Sequence, residues 1–368
     1  MKRCTPLLLF VILGIVILSA GCTNTSPGSS SSSGVSATTG TGTGGISADI
    51  NVMDSILASS YLQMSNLDIN FIDFTITNPT DSPRKVTVES DVPGYTEKAI
   101  NIIEVPAHGN ITGGQTPTLR PSAIPSEMTS AMLHYKVALA DGTIIDEQTI
   151  PIKIYAKDTM VWSVFDGVEW NNMAPLIAGW VTPHAAEIDP LVRRAANYHP
   201  EKLMSGYMCG NNCTDEQWED DTNAQAKAIF TTLKNDYQIT YINSPLAYGQ
   251  KNEAPQRIRL PKDSLASKSA NCIDGAVLYA SALESLEINP HIVIIPKHAF
   301  VCYDTKPDSS GYMSCLETTM TGSSTFEEAV ETGNQEYQEE ITNGDFKSGI
   351  SQDFSIADLR EEGILPMQ

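Results

Sequence analysis

The chain has 368 residues, enough for two folded domains and further segments, with 44 Asp and Glu against 23 Lys and Arg and a formal net charge of −21. Such an excess of negative charge is repelled by phosphate backbones, which argues against nucleic acid as a partner. Beyond that, the acidity says only that the surface is soluble.

Lys2 and Arg3 are followed by the apolar run Leu7 to Leu18 and then by "SAGC". The run is too short to span a bilayer and fits the apolar core of an export signal. "LSAGC" resembles the lipobox of prokaryotic lipoproteins, with Ser19 where that motif more often has Leu. The resemblance implies a signal peptide over 1–21 and a lipidated Cys22 as the first mature residue. It places the protein at the extracellular face of the cytoplasmic membrane, anchored through acyl chains. An uncleaved anchor or ordinary signal cleavage is the alternative. From Thr23 to Gly45, 19 of 23 residues are Ser, Thr or Gly. Residues 22–45 therefore read as a flexible tether, spanning roughly 25–30 Å.

Residues 46–158 carry a β pattern. Ile72, Phe74 and Ile76 alternate with polar residues, "NPTDSP" turns the chain into Val86 and Val88, and Leu133, Tyr135, Val137 and Leu139 lead into Asp141-Gly142. An Asp-Gly pair before Ile150, Ile152 and Ile154 is a strong hairpin signal. Short strands, turn-rich joints and no helical period predict an all-β, immunoglobulin- or fibronectin-like sandwich. His108 and His134 fall in a turn and on a strand and read as structural. The module reads as a spacer or adhesion unit.

Residues 159–368 change to helices. Thr214 and Gln217 are spaced as a capping box, and Trp218, Thr222, Ala226, Ile229, Leu233 and Tyr237 form one apolar helical face. A shorter helix is expected over Leu191 to Tyr198, with strands over His291 to Ile295, Ala299 to Tyr303 and Tyr312 to Thr318. A helical half followed by an antiparallel half predicts an α+β domain. The late run "FEEAVETGNQEYQEE" reads as a solvated glutamate-rich helix.

Seven cysteines need assignment. Cys4 leaves with the signal and Cys22 takes lipid, so Cys209, Cys213, Cys272, Cys302 and Cys315 remain, an odd number in an exported chain. Cys272 opens "NCIDGAVLYASALE", a stretch apolar nearly all round and so a buried helix. A thiol at a helix N-terminus has its thiolate favoured by the dipole and the unpaired N–H groups. Position alone leaves a nucleophile and an inert buried cysteine equally open. Downstream, "HAFV" offers His298 as a base and "LETT" offers Glu317 as the group that orients it.

The stretches "NCIDGAVLYASALESLEI", "HAFV" and "LETT" resemble the transglutaminase-like superfamily, which has a papain-like fold; "IAGWVTP" and "QRIRLP" are fainter matches upstream. The resemblance implies Cys272 as nucleophile, His298 as base and Glu317 as orienting acid. Glu317 stands where Asp is usual, and Glu287 replaces a glycine common after this helix. If Cys302 and Cys315 face each other across the hairpin, His298 and Glu317 lie diagonally on one face, about 7–8 Å apart at the backbone, a span that favours Glu over Asp. A Cys302–Cys315 disulfide would pin the two strands; two reduced cysteines are the alternative. Cys209 and Cys213 would form a second, small loop disulfide. Zinc needs about four ligands, usually in paired clusters, and no second pair follows, so neither metal nor cofactor is expected. The residue types of Cys272, His298 and Glu317 would nonetheless permit ligation. Asp274 fits the family pattern but reads first as a helix-start carboxylate. The Cys272 N–H is the natural oxyanion donor, with Gln256, Asn271 or Trp180 as a second.

The expected function is cysteine-dependent acyl transfer at the cell surface, hydrolysing peptide or amide bonds of a protein or peptide substrate. Protein crosslinking, or a non-catalytic peptide-binding or adhesion module, is the alternative.

Overall fold

The structure, a computed structural model, describes residues 36–41, 45–61, 63–64, 69–165, 170–207, 209, 213–243, 255–307 and 311–367. The leader and Cys22 lie outside the described residues.

Among the described residues, nine strands make the N-terminal part: β1 (Ser36–Thr41), β2 (Ser47–Val52), β3 (Ser55–Ile56), β4 (Ile72–Asn78), β5 (Arg84–Asp91), β6 (Ala99–Val105), β7 (Gly109–Gln115), β8 (Thr129–Leu139) and β9 (Ile144–Ile154). They form a four-stranded antiparallel sheet, β1-β2-β4-β7, and a five-stranded sheet, β3-β9-β8-β5-β6, in which only the two-residue β3 runs parallel to its neighbour. The period-two pattern sends Phe74, Ile76, Val86, Val88, Leu133, Tyr135 and Val137 into a common interior. Asp141-Gly142 turns β8 into β9, with Gly142 at φ +88°. His108 and His134 bond to Asp81 and Glu147.

The tether read over 22–45 ends earlier than composition indicates. Ser36–Thr41 is a strand paired with β2, from Ser36↔Val52 to Thr41↔Ser47. At Gly40 a Cβ would stand 2.4 Å from the Asp146 Cβ, so this approach requires glycine.

The C-terminal part adds β10 (Thr159–Val161), β11 (Ser163–Phe165), β12 (Trp170–Asn172), α1 (Ile188–Ala195), α2 (Asp215–Asn235), β13 (Thr240–Tyr241), β14 (Pro255–Arg257), α3 (Pro261–Ser267), β15 (Ser269–Ala270) and α4 (Cys272–Glu284). Then come β16 (Pro290–Ile295), β17 (His298–Asp304), β18 (Met313–Leu316), α5 (Phe326–Asn343), α6 (Asp345–Ser348), β19 (Gln352–Ser355) and α7 (Ile356–Glu361). The last four strands form an antiparallel sheet in the order β18-β17-β16-β19. Ala299, Val301 and Tyr303 of β17 enter the core that contains α4, while Phe300 and Cys302 enter a smaller one with Cys315, bordered by Tyr337 of α5. Helix α4 is buried from Cys272 to Leu283. Burying each of its larger apolar side chains stabilises the fold by roughly 1.5–3 kcal/mol. Among the described residues no helix is long and apolar enough to cross a membrane.

One apolar core runs from Ile50 and Tyr61 through Trp162 and Trp180 to Ile273 and Val277. Polar ties cross the same junction. Ser59 Oγ donates to the Thr159 carbonyl at 2.9 Å, and Arg257 pairs with both Asp158 and Glu127.

Candidate active site

Cys272 is the first residue of α4, and a reciprocal cap sets its position. The Asp274 N–H donates to Asn271 Oδ1 at 2.8 Å, and the Asn271 N–H donates to Asp274 Oδ2 at 3.3 Å. Asp274 Oδ1 also accepts from the Arg259 N–H at 2.8 Å, tying the preceding loop to the helix start. Burial pushes the Asp274 carboxyl above its ordinary value, against the pull of these bonds. The position of Asp274 is thus that of a capping residue. The Cys272 thiol is free and 2 % exposed.

His298 opens β17 directly after a tight turn. Ile295 pairs with His298, leaving Pro296 and Lys297 as the two turn residues, with Lys297 at φ +68°. Proline followed by a positive φ is the type II pattern, and it delivers His298 in register. Across the next pairing Cys302 lies opposite Cys315, the two joined by a disulfide, with Val301 opposite Leu316. Strand β18 ends there, and Glu317 caps a short 3-10 turn, Thr318–Met320. Its Oε1 accepts from the Thr319 N–H at 2.8 Å and from Thr319 Oγ1 at 2.5 Å; its Oε2 lies 2.6 Å from His298 Nε2. Both carboxylate oxygens are therefore committed. The turn packs on α4 because residue 275 is glycine: a Cβ there would stand 2.7 Å from Thr318 Oγ1.

With Nε2 held by Glu317, Nδ1 is the ring nitrogen left to face the Cys272 thiol, which lies near enough to act on the charge of the imidazole. Burial drives the His298 pKa down, but the bonds with Cys272 and Glu317 outweigh it and raise it to about 10. Burial pushes Glu317 up, and the bond and charge of His298 and the Thr319 bonds pull it below the ordinary carboxylate value.

A fourth titratable group was not picked out by sequence reasoning. Gly333 of α5 sits so close to β18 that a Cβ would lie 2.8 Å from the Cys315 carbonyl, and the Cys315 N–H donates to Asn334 Oδ1 at 2.8 Å. One turn on, Glu336 Oε2 comes within 3.8 Å of His298 Nε2. The run read as a solvated helix thus has an inward edge. Phe326, Ala329, Gly333 and Glu336 recur at helical spacing, a phase that would have revealed it. Burial first, then the Glu317 charge, raise the Glu336 pKa to about 7.

The oxyanion candidates separate. Trp180 is buried and its Nε1–H is spent on the Ile258 carbonyl at 3.2 Å. Asn271 uses its oxygen as the α4 cap, and Gln256, on β14, accepts from Trp162 Nε1 at 2.9 Å. The Cys272 N–H, in the first turn of α4, has no helical carbonyl to bond and stays available to an oxyanion. Cys209 is bonded to Cys213. Exposed Tyr241 lies near enough to Cys272 and Glu317 that their charges, after burial, raise its pKa. A cavity of about 530 Å³ adjoins the start of α4, lined by Asn271, Asp274, Ile242, Arg257, Arg259 and Asp158. Among the described residues, His298, Glu317 and Glu336 offer ligand atoms within 4.8 Å of one another. Holding a cation there would require Nε2 to give up Glu317 and Glu336 to lose its proton.

No protein-family model matches the chain, and no curated protein matches it. Among solved structures, the exo-chitosanase CsxA of Amycolatopsis orientalis is similar over 56 % of this chain at 10 % identity and a TM-score of 0.19; this chain spans 27 % of its length. A protein of Parabacteroides distasonis provisionally described as a protease is similar over 80 % of this chain and 70 % of its own, at 10 % identity and a TM-score of 0.23.

Proposed function

We propose that the protein is a cysteine-dependent acyl-transfer enzyme that hydrolyses peptide or amide bonds, carried at the extracellular face of the cytoplasmic membrane by lipid on Cys22. In this reading residues 159–368 are a transglutaminase-like domain of papain-like type, and 46–158 are an immunoglobulin- or fibronectin-like sandwich. The observation that carries it is the placing of His298 between two partners: Glu317 Oε2 lies 2.6 Å from its Nε2, and the Cys272 thiol is near enough to raise the His298 pKa.

The Cys272 thiolate attacks the carbonyl carbon, and the oxyanion forms against the Cys272 N–H. As the C–N bond breaks, the His298 imidazolium gives its proton to the departing amine, leaving a thioester on Cys272 and a neutral imidazole. Water then attacks the thioester while His298 takes its proton, releasing the acid and restoring the thiolate–imidazolium pair. Glu317 stays ionised throughout and fixes the ring through Nε2.

The test is alkylation of Cys272 with iodoacetamide near neutral pH, paired with mass spectrometry for an acyl-enzyme after incubation with peptide amides. Cys272 is expected to react faster than free cysteine and to gain the acyl mass, and Cys272→Ala to abolish turnover. Reaction no faster than free cysteine, with activity intact in Cys272→Ala, would end the enzymatic reading.

A further inference from the structure

Glu336 is the carboxyl group for which the chemistry above has no task. Its Oε2 is closed off from solvent and takes no hydrogen bond from a donor, yet its side chain keeps 30 % exposure, a route for proton exchange. The groups that face it are Glu317 from the end of β18, His298 from β17 with Cys272 beyond the ring, and Glu339 on its own helix. It reaches them because His298 and Glu317 stand on the face of the sheet that α5 covers, the face of Phe300 and Cys315. Gly333 lets the helix approach that face without a side chain between. Two ionised carboxylates beside one imidazolium would leave a negative charge uncompensated. The second acid then holds a proton that it can donate to the first, as paired catalytic carboxyls do.

We propose that Glu336 is a positioning residue of this site. Neutral, it donates a hydrogen bond to Glu317 and weakens that carboxylate's hold on His298; ionised, it places a second negative charge against the imidazolium and strengthens the thiolate–imidazolium pair. The step is one proton passing from the Glu336 carboxyl to solvent water, with no other bond changed. The changeover falls within ordinary working pH, since burial and the Glu317 charge keep the group protonated up to about 7. The inference rests on reading Cys272 and His298 as the reactive pair.

The experiment follows the His298 ring signals by NMR across pH in the full chain. In the wild type they are expected to shift twice, near 7 as Glu336 ionises and near 10 as the ring itself titrates. Glu336→Gln, close to isosteric, should lose the first step and move the ring's own step down by about one pH unit, the effect of removing a charge within ~4–6 Å. Glu336→Asp, which keeps the acid but draws it back, should retain a first step and move the second less. Glu339→Gln should leave both in place, with circular dichroism checking each fold. A first step that persists in Glu336→Gln, or a ring step that does not move, overturns the proposal. Because the titration needs no substrate, the two failures separate: an inert Cys272 alongside the expected shifts would sink the enzymatic reading and leave only the coupling of Glu336 to His298.

Discussion

Glu317 is held at both ends of its carboxylate, by Thr319 on one oxygen and by His298 on the other. The extra methylene relative to aspartate matters because strand pairing ends at Leu316 and the carboxylate must reach back to the start of β17. On the proposed chemistry, Glu317→Asp should therefore lower kcat by about 10–100-fold while leaving thermal unfolding nearly unchanged, since misplacement by about 1 Å is felt in catalysis first. A steady-state assay with a calorimetric scan checks it; a fold that melts early in place of a slow enzyme would contradict it. This contact was legible in the sequence because two cysteines marked the register. With Cys302 opposite Cys315, the diagonal from His298 to Glu317 follows by counting. Glu336 was not legible, because a run of glutamates reads as solvent-facing until the helical phase is set by Gly333. Tyr241 was not legible either, since a two-residue strand carries no period.

Helix α4 ends where the chain departs from glycine. Glu287 is exposed and sits at φ +60°, in the left-handed region that a side chain resists by roughly 1–2 kcal/mol. Glu287→Gly should raise stability to urea by up to about 1 kcal/mol, the strain relief being partly offset by the freer unfolded chain. No gain, or a loss, would show that Glu287 has a compensating contact. On the same sheet His291 of β16 ties three strands and a helix. Its Nδ1 lies 2.8 Å from Asp353 of β19, its Nε2 3.5 Å from Asp304 of β17, and Tyr337 of α5 donates to Asp353 at 2.8 Å. Burial lowers the His291 pKa, but the bonds to the two aspartates prevail and raise it to about 10. A histidine raised above its unfolded value of about 6.5 stabilises fully below that pH and stops doing so as pH passes its folded value. The wild-type advantage over His291→Gln, about 2 kcal/mol at pH 6, should shrink steadily from pH ~6.5 to ~10 in urea titrations. A constant gap would mean the ring is neutral throughout.

At the scale of the whole molecule, the described residues, from 36 onward, form one compact unit. The apolar core passes without a break from the sheets at the N-terminal end to α4. A chain beginning at Asp158 would cut through the continuous apolar core and lose the Ser59–Thr159 bond and the Arg257–Glu127 pair. It should aggregate or melt well below the full chain in a thermal scan, and independent two-step melting of the full chain would contradict this coupling. The alternation of apolar residues made the strands legible and the apolar-all-round stretch made α4 legible. The early strand β1 was hidden, because serine, threonine and glycine describe a tether and an edge strand equally well.

Position 333 works as a ruler. The hydrogen atom there sets the gap between helix and sheet, and so how far a carboxylate one turn later stands from the ring it tunes. Even a methyl group at that point would widen the gap and carry the acid off with the helix. An atom that cannot ionise would then decide the acidity at which a neighbouring acid parts with its proton.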